Sequence, residues 1–101
     1  MASIFYGFYI DNQLAGVIEI ESDNQTTNIN SLVVHPDFFR RGIAWQLLEF
    51  TFNTSNSEIF IVETGANNKP AVELYLKFGF KEIKQWNTDF GIRKVRFKKT
   101  Q

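Results

Sequence analysis

The sequence predicts an α+β domain: two helices on one mostly antiparallel sheet, in the order β-β-β-α-β-α-β-β. Three observations carry this. Six short stretches rich in β-branched and aromatic residues are separated by Asn, Asp, Gly, Ser and Pro punctuation. Two longer stretches instead repeat their apolar residues every three to four positions. A nearly unbroken apolar run, Glu58 to Thr64, lies between those two stretches, as in a β-α-β unit. At 101 residues the chain is expected to make a single small domain over residues 1–101.

Taken in order, Ser3 to Ile10 is rich in Ile, Phe and Tyr and reads as a strand. Asp11-Asn12-Gln13 is a turn signal, and Leu14 to Glu21 is the returning arm of a hairpin. Alternation predicts Leu14, Gly16, Ile18 and Ile20 on one face, with Ala15, Val17, Glu19 and Glu21 on the other. Ser22 to Gln25 turns the chain into a third strand, Asn28 to Val34, which His35-Pro36 stops. The spacing of Ala44, Leu47, Leu48 and Phe52 predicts a helix from Arg41 to about Thr54. The Glu58–Thr64 run predicts a central strand buried on both faces. A second helix follows, with Asn68 as cap, Pro70 in its first turn and Ala71, Leu74, Tyr75 and Phe78 on one face. Gly79 ends it in a left-handed cap. Phe80 to Trp86 and Ile92 to Lys99 are the last two strands.

Composition removes several function classes. Eleven basic and eleven acidic side chains cancel, which argues against nucleic-acid or membrane-surface binding driven by bulk charge. With no cysteine there is no disulfide, thiolate metal site or thiol nucleophile, and one histidine excludes a His-His zinc motif. No apolar run approaches the roughly 20 residues of a membrane span. Met1 to Phe5 carries neither the charged start nor the cleavage site of a secretory signal, so the expectation is a soluble, cytoplasmic domain. The charge is unevenly spread. Residues 1–39 contain no Lys or Arg, and the tail carries Arg93, Lys94, Arg96, Lys98 and Lys99.

The turn before the first helix is chemically unusual. Arg40 and Arg41 immediately precede Gly42, where the positive end of a helix disfavours cations by a few tenths of a kcal/mol. An anion on the exposed N–H groups gives a reason to keep them, and Gly42 lets its backbone approach closely. Phosphate or pyrophosphate is the natural candidate. A solvent-facing basic turn, with a glycine selected by its dihedral angles, fits the same spacing.

The stretch Val34-His35-Pro36-Asp37 followed by Gly42 and Ala44 resembles motif A of the GNAT family of N-acetyltransferases. Phe39 stands where that motif usually has Gln or Arg. The segment Asn68-Lys69-Pro70-Ala71-Val72-Glu73-Leu74-Tyr75-Leu76-Lys77-Phe78-Gly79-Phe80 is similar to motif B at all its anchor positions. The resemblance covers about residues 14 to 85. It implies a GNAT-like fold and acetyl-CoA as cosubstrate, bound where two neighbouring parallel strands splay apart. On that resemblance, backbone groups of Leu32, Val33 and Val34 would pair with the pantetheine arm. Amides of Arg40, Arg41, Gly42, Ile43, Ala44 and Trp45 would hold the pyrophosphate. Asn68 would touch the cofactor arm, and Tyr75 would protonate the leaving thiolate.

Glu63 interrupts an apolar strand where a buried residue is expected, which suits a base with a raised pKa. It also matches a glutamate used as base in relatives that acetylate protein N-termini. A solvent-facing strand end explains it equally, and Glu19 and Glu21 are substitutes on the hairpin. His35 is read as the variable position before Pro36, without a catalytic role.

The implied reaction is transfer of acetyl to a primary amine, of a small molecule, peptide or protein, by direct attack in a ternary complex. Family members usually begin with a further strand and two helices, so the resemblance implies about 40 to 50 residues of the usual fold that this sequence is expected to lack ahead of Ser3. A homodimer through Ile4, Phe5, Phe8 and Tyr9 could restore the missing wall. One alternative is a non-catalytic acyl-CoA-binding or protein-interaction module on the same fold. Another is an RNA-binding sheet using Phe5, Phe8, Tyr9 and the basic tail.

Overall fold

The computed structural model describes residues 3–101. Its strands are β1 (Ile4–Ile10), β2 (Gln13–Ser22), β3 (Thr26–Val34), β4 (Ile59–Gly65), β5 (Lys81–Asn87) and β6 (Arg93–Thr100). Helix α1 (Ile43–Thr54) joins β3 to β4, and α2 (Lys69–Phe78) joins β4 to β5. The strands form one sheet in the order β1-β2-β3-β4-β6-β5, in which only β3 and β4 run parallel. The element order is the one the sequence predicts.

Local chemistry explains the joints. Asp11 and Asn12 both take positive φ, 49° and 65°, so β1 and β2 close through a two-residue turn whose twist matches the strands. Asp23 accepts hydrogen bonds from the Gln25 and Thr26 amides at 2.8 and 2.7 Å, and these hold its carboxyl below the usual range. Below that turn the buried Thr27 hydroxyl meets Ser22, Ser55 and Ser57 at 2.7, 3.1 and 2.6 Å, tying β2, β3 and the α1–β4 loop together.

Both helices pack on the same face of the sheet. Ile43 and Leu47 of α1 crowd Gly16 of β2, where a Cβ would come within 2.9 Å of Ile43. Phenylalanines join helices to sheet: Phe52 stacks on Phe60 at 3.9 Å and meets Phe78 at 5.1 Å, while Trp45 meets Phe78 edge-on at 4.7 Å. Each such pair contributes about 0.5–1.5 kcal/mol beyond its buried area. Phe60, Phe97, Ile18, Leu48 and Val95 are the largest apolar side chains fully buried in this layer.

The other face is open, and it corrects four expectations. Strand β4 buries Phe60 and Val62 but leaves Ile59 and Ile61 half-buried, because no helix covers their side. Leu14 is exposed and Ala15 buried, because a bulge opposite Phe8 and Tyr9 inserts Ala15 into β2 and shifts the alternation. Helix α1 starts at Ile43 rather than Arg41, because Gly42 adopts a left-handed φ of 71°. Finally, Ile4, Phe5, Phe8 and Tyr9 do not make one surface: Phe8 packs against the core, while Phe5 and Tyr9 point to the open side.

Candidate active site at the fork between β3 and β4

The parallel ladder pairs Thr26–Ile29 with Ile59–Val62 and then ends. The cause lies in β3. Glu19 of β2 faces Ser31 and Ile20 faces Ile29, so Asn30 is an extra residue bulged out of the ladder. A bulge bends its strand and increases the local twist, and it is often found beside active sites. From Asn30 onward β3 stays with β2 while β4 stays with β6, and a wedge opens between them. The His35 N–H bonds the Ala15 carbonyl at 2.8 Å, with Val34 opposite Gly16. Antiparallel alternation therefore turns the main-chain groups of Leu32 and Val34 into the wedge. Val33 turns its own toward Val17 and presents instead an exposed side chain on the open face.

At the rim of the wedge the α1 N-terminus is bare. Its Gly42 cap offers no side-chain hydrogen bond, and its first turn holds no acidic residue. The first intrahelical bond runs from Gln46 N–H to the Gly42 carbonyl, so the Ile43, Ala44 and Trp45 amides have no partner within the helix. A Cβ on Gly42 would meet nothing within 4 Å. Arg40 also holds a positive φ, 65°, at a cost of about 1–2 kcal/mol for a side chain of its type. Arg40 and Arg41 are both exposed, and Arg41 lies 5.3 Å over the Phe38 ring. Bare amides, an open glycine and two cations together suit a diphosphate.

Helix α2 supplies the next two residues. Asn68 caps it: Oδ1 accepts from the Ala71 amide at 3.3 Å, and its Nδ2 donors have no partner among the described residues. Tyr75 is 4% exposed, and its ring lies 5.6 Å from Phe80 and 5.8 Å from Phe97. Phe97 is the β6 partner of Val62, and Val62 is the last residue of β4 that pairs with β3. Tyr75 thus sits beneath the point where the strands part. Its hydroxyl has no hydrogen-bond partner among the described residues, yet no buried side-chain polar atom there goes unpaired, so the hydroxyl keeps some exposure. Burial pushes its pKa up to about 12, so it keeps its proton at neutral pH.

Glu63 follows Val62 and points to the opposite, open face. There it lines a cavity of about 240 Å³ together with Glu21, Asn28, Asn30, Ile61 and Lys94. Burial among apolar residues does not describe it: its side chain is 32% exposed and its carboxylate is paired with Arg96. Of the substitutes, Glu21 accepts from Asn30 Nδ2 at 2.8 Å, and Glu19 accepts from the Ser31 hydroxyl at 3.4 Å. His35 lies outside the cavity and accepts from the Asp37 amide at 3.1 Å. The basic tail does not form one clamp, since Arg96 is committed to Glu63 while Lys99 crosses to the helix side, over the Phe52 ring.

Sequence spacing did not single out Asn30 or Arg96. The strand holds two asparagines, Asn28 and Asn30, and nothing local marks which of them leaves the ladder. The Arg96–Glu63 contact spans 33 residues and depends on the β4–β6 register.

The model of the acetyltransferase (GNAT) domain matches residues 2–82. Among curated proteins the chain is 42% identical over 79 residues to the UPF0157 protein YqkA of Bacillus subtilis (strain 168), covering 77% of this chain and 23% of that one. It is 38% identical over 82 residues to a streptothricin acetyltransferase of Escherichia coli, covering 77% of this chain and 47% of that one. The chain therefore spans about a quarter and about half the length of these relatives. Its fold superposes with a TM-score of 0.87 on a GNAT family acetyltransferase from Elizabethkingia anophelis with acetyl-CoA bound, at 19% identity, covering 96% of this chain and 75% of that one. A domain match over most of its length, joined to this forked sheet, makes the chain a member of the GNAT acetyltransferase family.

Proposed function

We propose that the chain is an acetyl-CoA-dependent N-acetyltransferase that acts on a primary amine by direct attack in a ternary complex. The observation that carries this reading is the fork: a wedge between parallel strands, with a protonated phenol beneath one face and a carboxylate beside a cavity on the other.

Acetyl-CoA supplies the acetyl group as a thioester. The Ile43, Ala44 and Trp45 amides hold its diphosphate, with Arg40 and Arg41 adding attraction and Gly42 close approach. Leu32 and Val34 offer main-chain groups to an extended arm, as an added strand. Asn68 donates to the same arm through Nδ2. The acceptor amine enters from the Glu63 side, and its nitrogen bonds the acetyl carbon as the carbon–sulfur bond breaks. Glu63 takes the amine proton, an N–H of β3 supports the carbonyl oxygen as charge builds there, and Tyr75 donates to the departing sulfur. Alignment of the two reactants across the fork supplies much of the rate.

The test is calorimetric titration with acetyl-CoA, followed by thiol release across a panel of small amines and peptides. Binding with amine-dependent release supports the reading, and absence of binding removes it. A second reading, a non-catalytic acyl-CoA-binding module, is favoured by the open face beside the cavity, where Phe5, Tyr9 and Val33 are exposed. It predicts binding without release.

A further inference from the structure

The Glu63–Arg96 pair has an unusual geometry. A guanidinium facing a carboxylate commonly engages both oxygens, one nitrogen to each. Here Nε and Nη2 of Arg96 both converge on Oε2 of Glu63, each at 2.6 Å. Oε1 has no partner among the described residues, and Glu63 lines the cavity at the fork. The guanidinium is itself braced, with Cζ 5.3 Å from the centre of the Trp86 ring. Lys84 Nζ lies 5.3 Å from the same ring, so Trp86 carries two cations.

Stability alone is a weak reason for this arrangement. A half-exposed cross-strand ion pair contributes only about 0.2–1 kcal/mol, and a lysine would serve as well. Only a planar, rigid donor fork can turn two nitrogens onto one oxygen, Nε by a hydrogen bond and Nη2 by charge, and leave the other uncovered.

We infer that Arg96, braced on Trp86, is a positioning residue for Glu63: it fixes the carboxylate by Oε2 and reserves Oε1 for the acceptor amine. This rests on the reading of Glu63 as the group that meets the amine. Arg96 does not touch the reacting atoms. It removes the rotational freedom of Glu63, so that binding the amine does not have to. Trp86 limits the guanidinium in the same way.

The experiment compares wild type with Arg96→Gln, Arg96→Lys, Trp86→Leu, Glu63→Gln and the Glu63→Gln/Arg96→Gln double variant. All are checked for a cooperative thermal transition, then measured for acetyl-CoA affinity and for kcat and KM toward the best amine. Arg96→Gln is expected to lower kcat/KM for the amine by about 10- to 100-fold, with acetyl-CoA affinity unchanged. Arg96→Lys recovers part of that loss. Trp86→Leu, which leaves both charges in place, loses activity in the same direction but less. In the Glu63→Gln background the Arg96 substitution costs nothing further, because its effect runs through Glu63. Wild-type kcat/KM in Arg96→Gln overturns the inference, as does a loss that persists undiminished in the double variant. Full activity in Glu63→Gln overturns it together with the role of Glu63, while the acetyltransferase reading stands. No thiol release by wild type with any amine removes that reading itself.

Discussion

Glu63 and Tyr75 lie on opposite faces of the sheet at adjacent rungs. Val62, the last residue of β4 paired with β3, has Phe97 as its partner on β6, and Phe97 packs against Tyr75 on the helix side. The next residue along β4 is Glu63, on the open side. In the proposed reaction a base and an acid reach a common centre from these two faces, where the strands between them have separated.

Gly42→Glu is expected to abolish acetyl-CoA binding. A negative charge at this helix end is itself favourable, and the left-handed φ costs about 1–2 kcal/mol, so the helix survives. The carboxylate instead takes the place of the diphosphate. Calorimetry with the variant checks this, with its thermal transition as control. Retained affinity would mean that the anion does not sit on these amides.

Asn68→Asp separates two roles of one side chain. Aspartate caps a helix as well as asparagine does, so the thermal midpoint stays near that of wild type. It has no amide donors, so acetyl-CoA affinity falls if Nδ2 meets the cofactor arm. Asn68→Ala loses the cap as well, at about 1 kcal/mol of stability. Equal affinity in wild type and Asn68→Asp would confine Asn68 to capping.

Tyr75→Phe is expected to lower turnover by about 100-fold or more while acetyl-CoA affinity is kept. Pre-steady-state thiol release, with binding measured separately, makes the distinction. Unchanged turnover would leave Tyr75 as a core aromatic only.

The buried phenol also has a signature in alkali. Its pKa is raised from 10.0 to about 12 in the folded chain, so between these values the folded state holds a proton that the unfolded state has released. Stability is therefore fully present below pH 10 and is lost as pH rises toward 12, by roughly 3 kcal/mol from this group. Urea unfolding of wild type and Tyr75→Phe at pH 8 and pH 11 measures it. The variant should show the smaller decline, and equal declines would contradict the burial.

Much of this was legible in the sequence because the signals are local. Asn68, Pro70 and Gly79 mark the ends of α2 by chemistry acting within one turn. The element order followed from hydrophobic period. What escaped depends on contacts between distant strands. The bulge at Asn30 shows only in register against β2, and it is what opens the fork. Arg96 reads as one more cation of a basic tail until the β4–β6 ladder sets it opposite Glu63. The open face of β4 was hidden for a similar reason: an apolar run does not say on which side a helix will lie.

The central claim is that acetyl-CoA lies in the wedge with its diphosphate on the α1 amides. Titration of the ¹⁵N-labelled chain with coenzyme A tests it most directly, by following the amide resonances of Ile43, Ala44 and Trp45 with those of Leu32 and Val34. These resonances are expected to shift together and saturate at one ligand per chain. Saturation without movement of the Ile43–Trp45 amides, or movement confined to another part of the sheet, would contradict it.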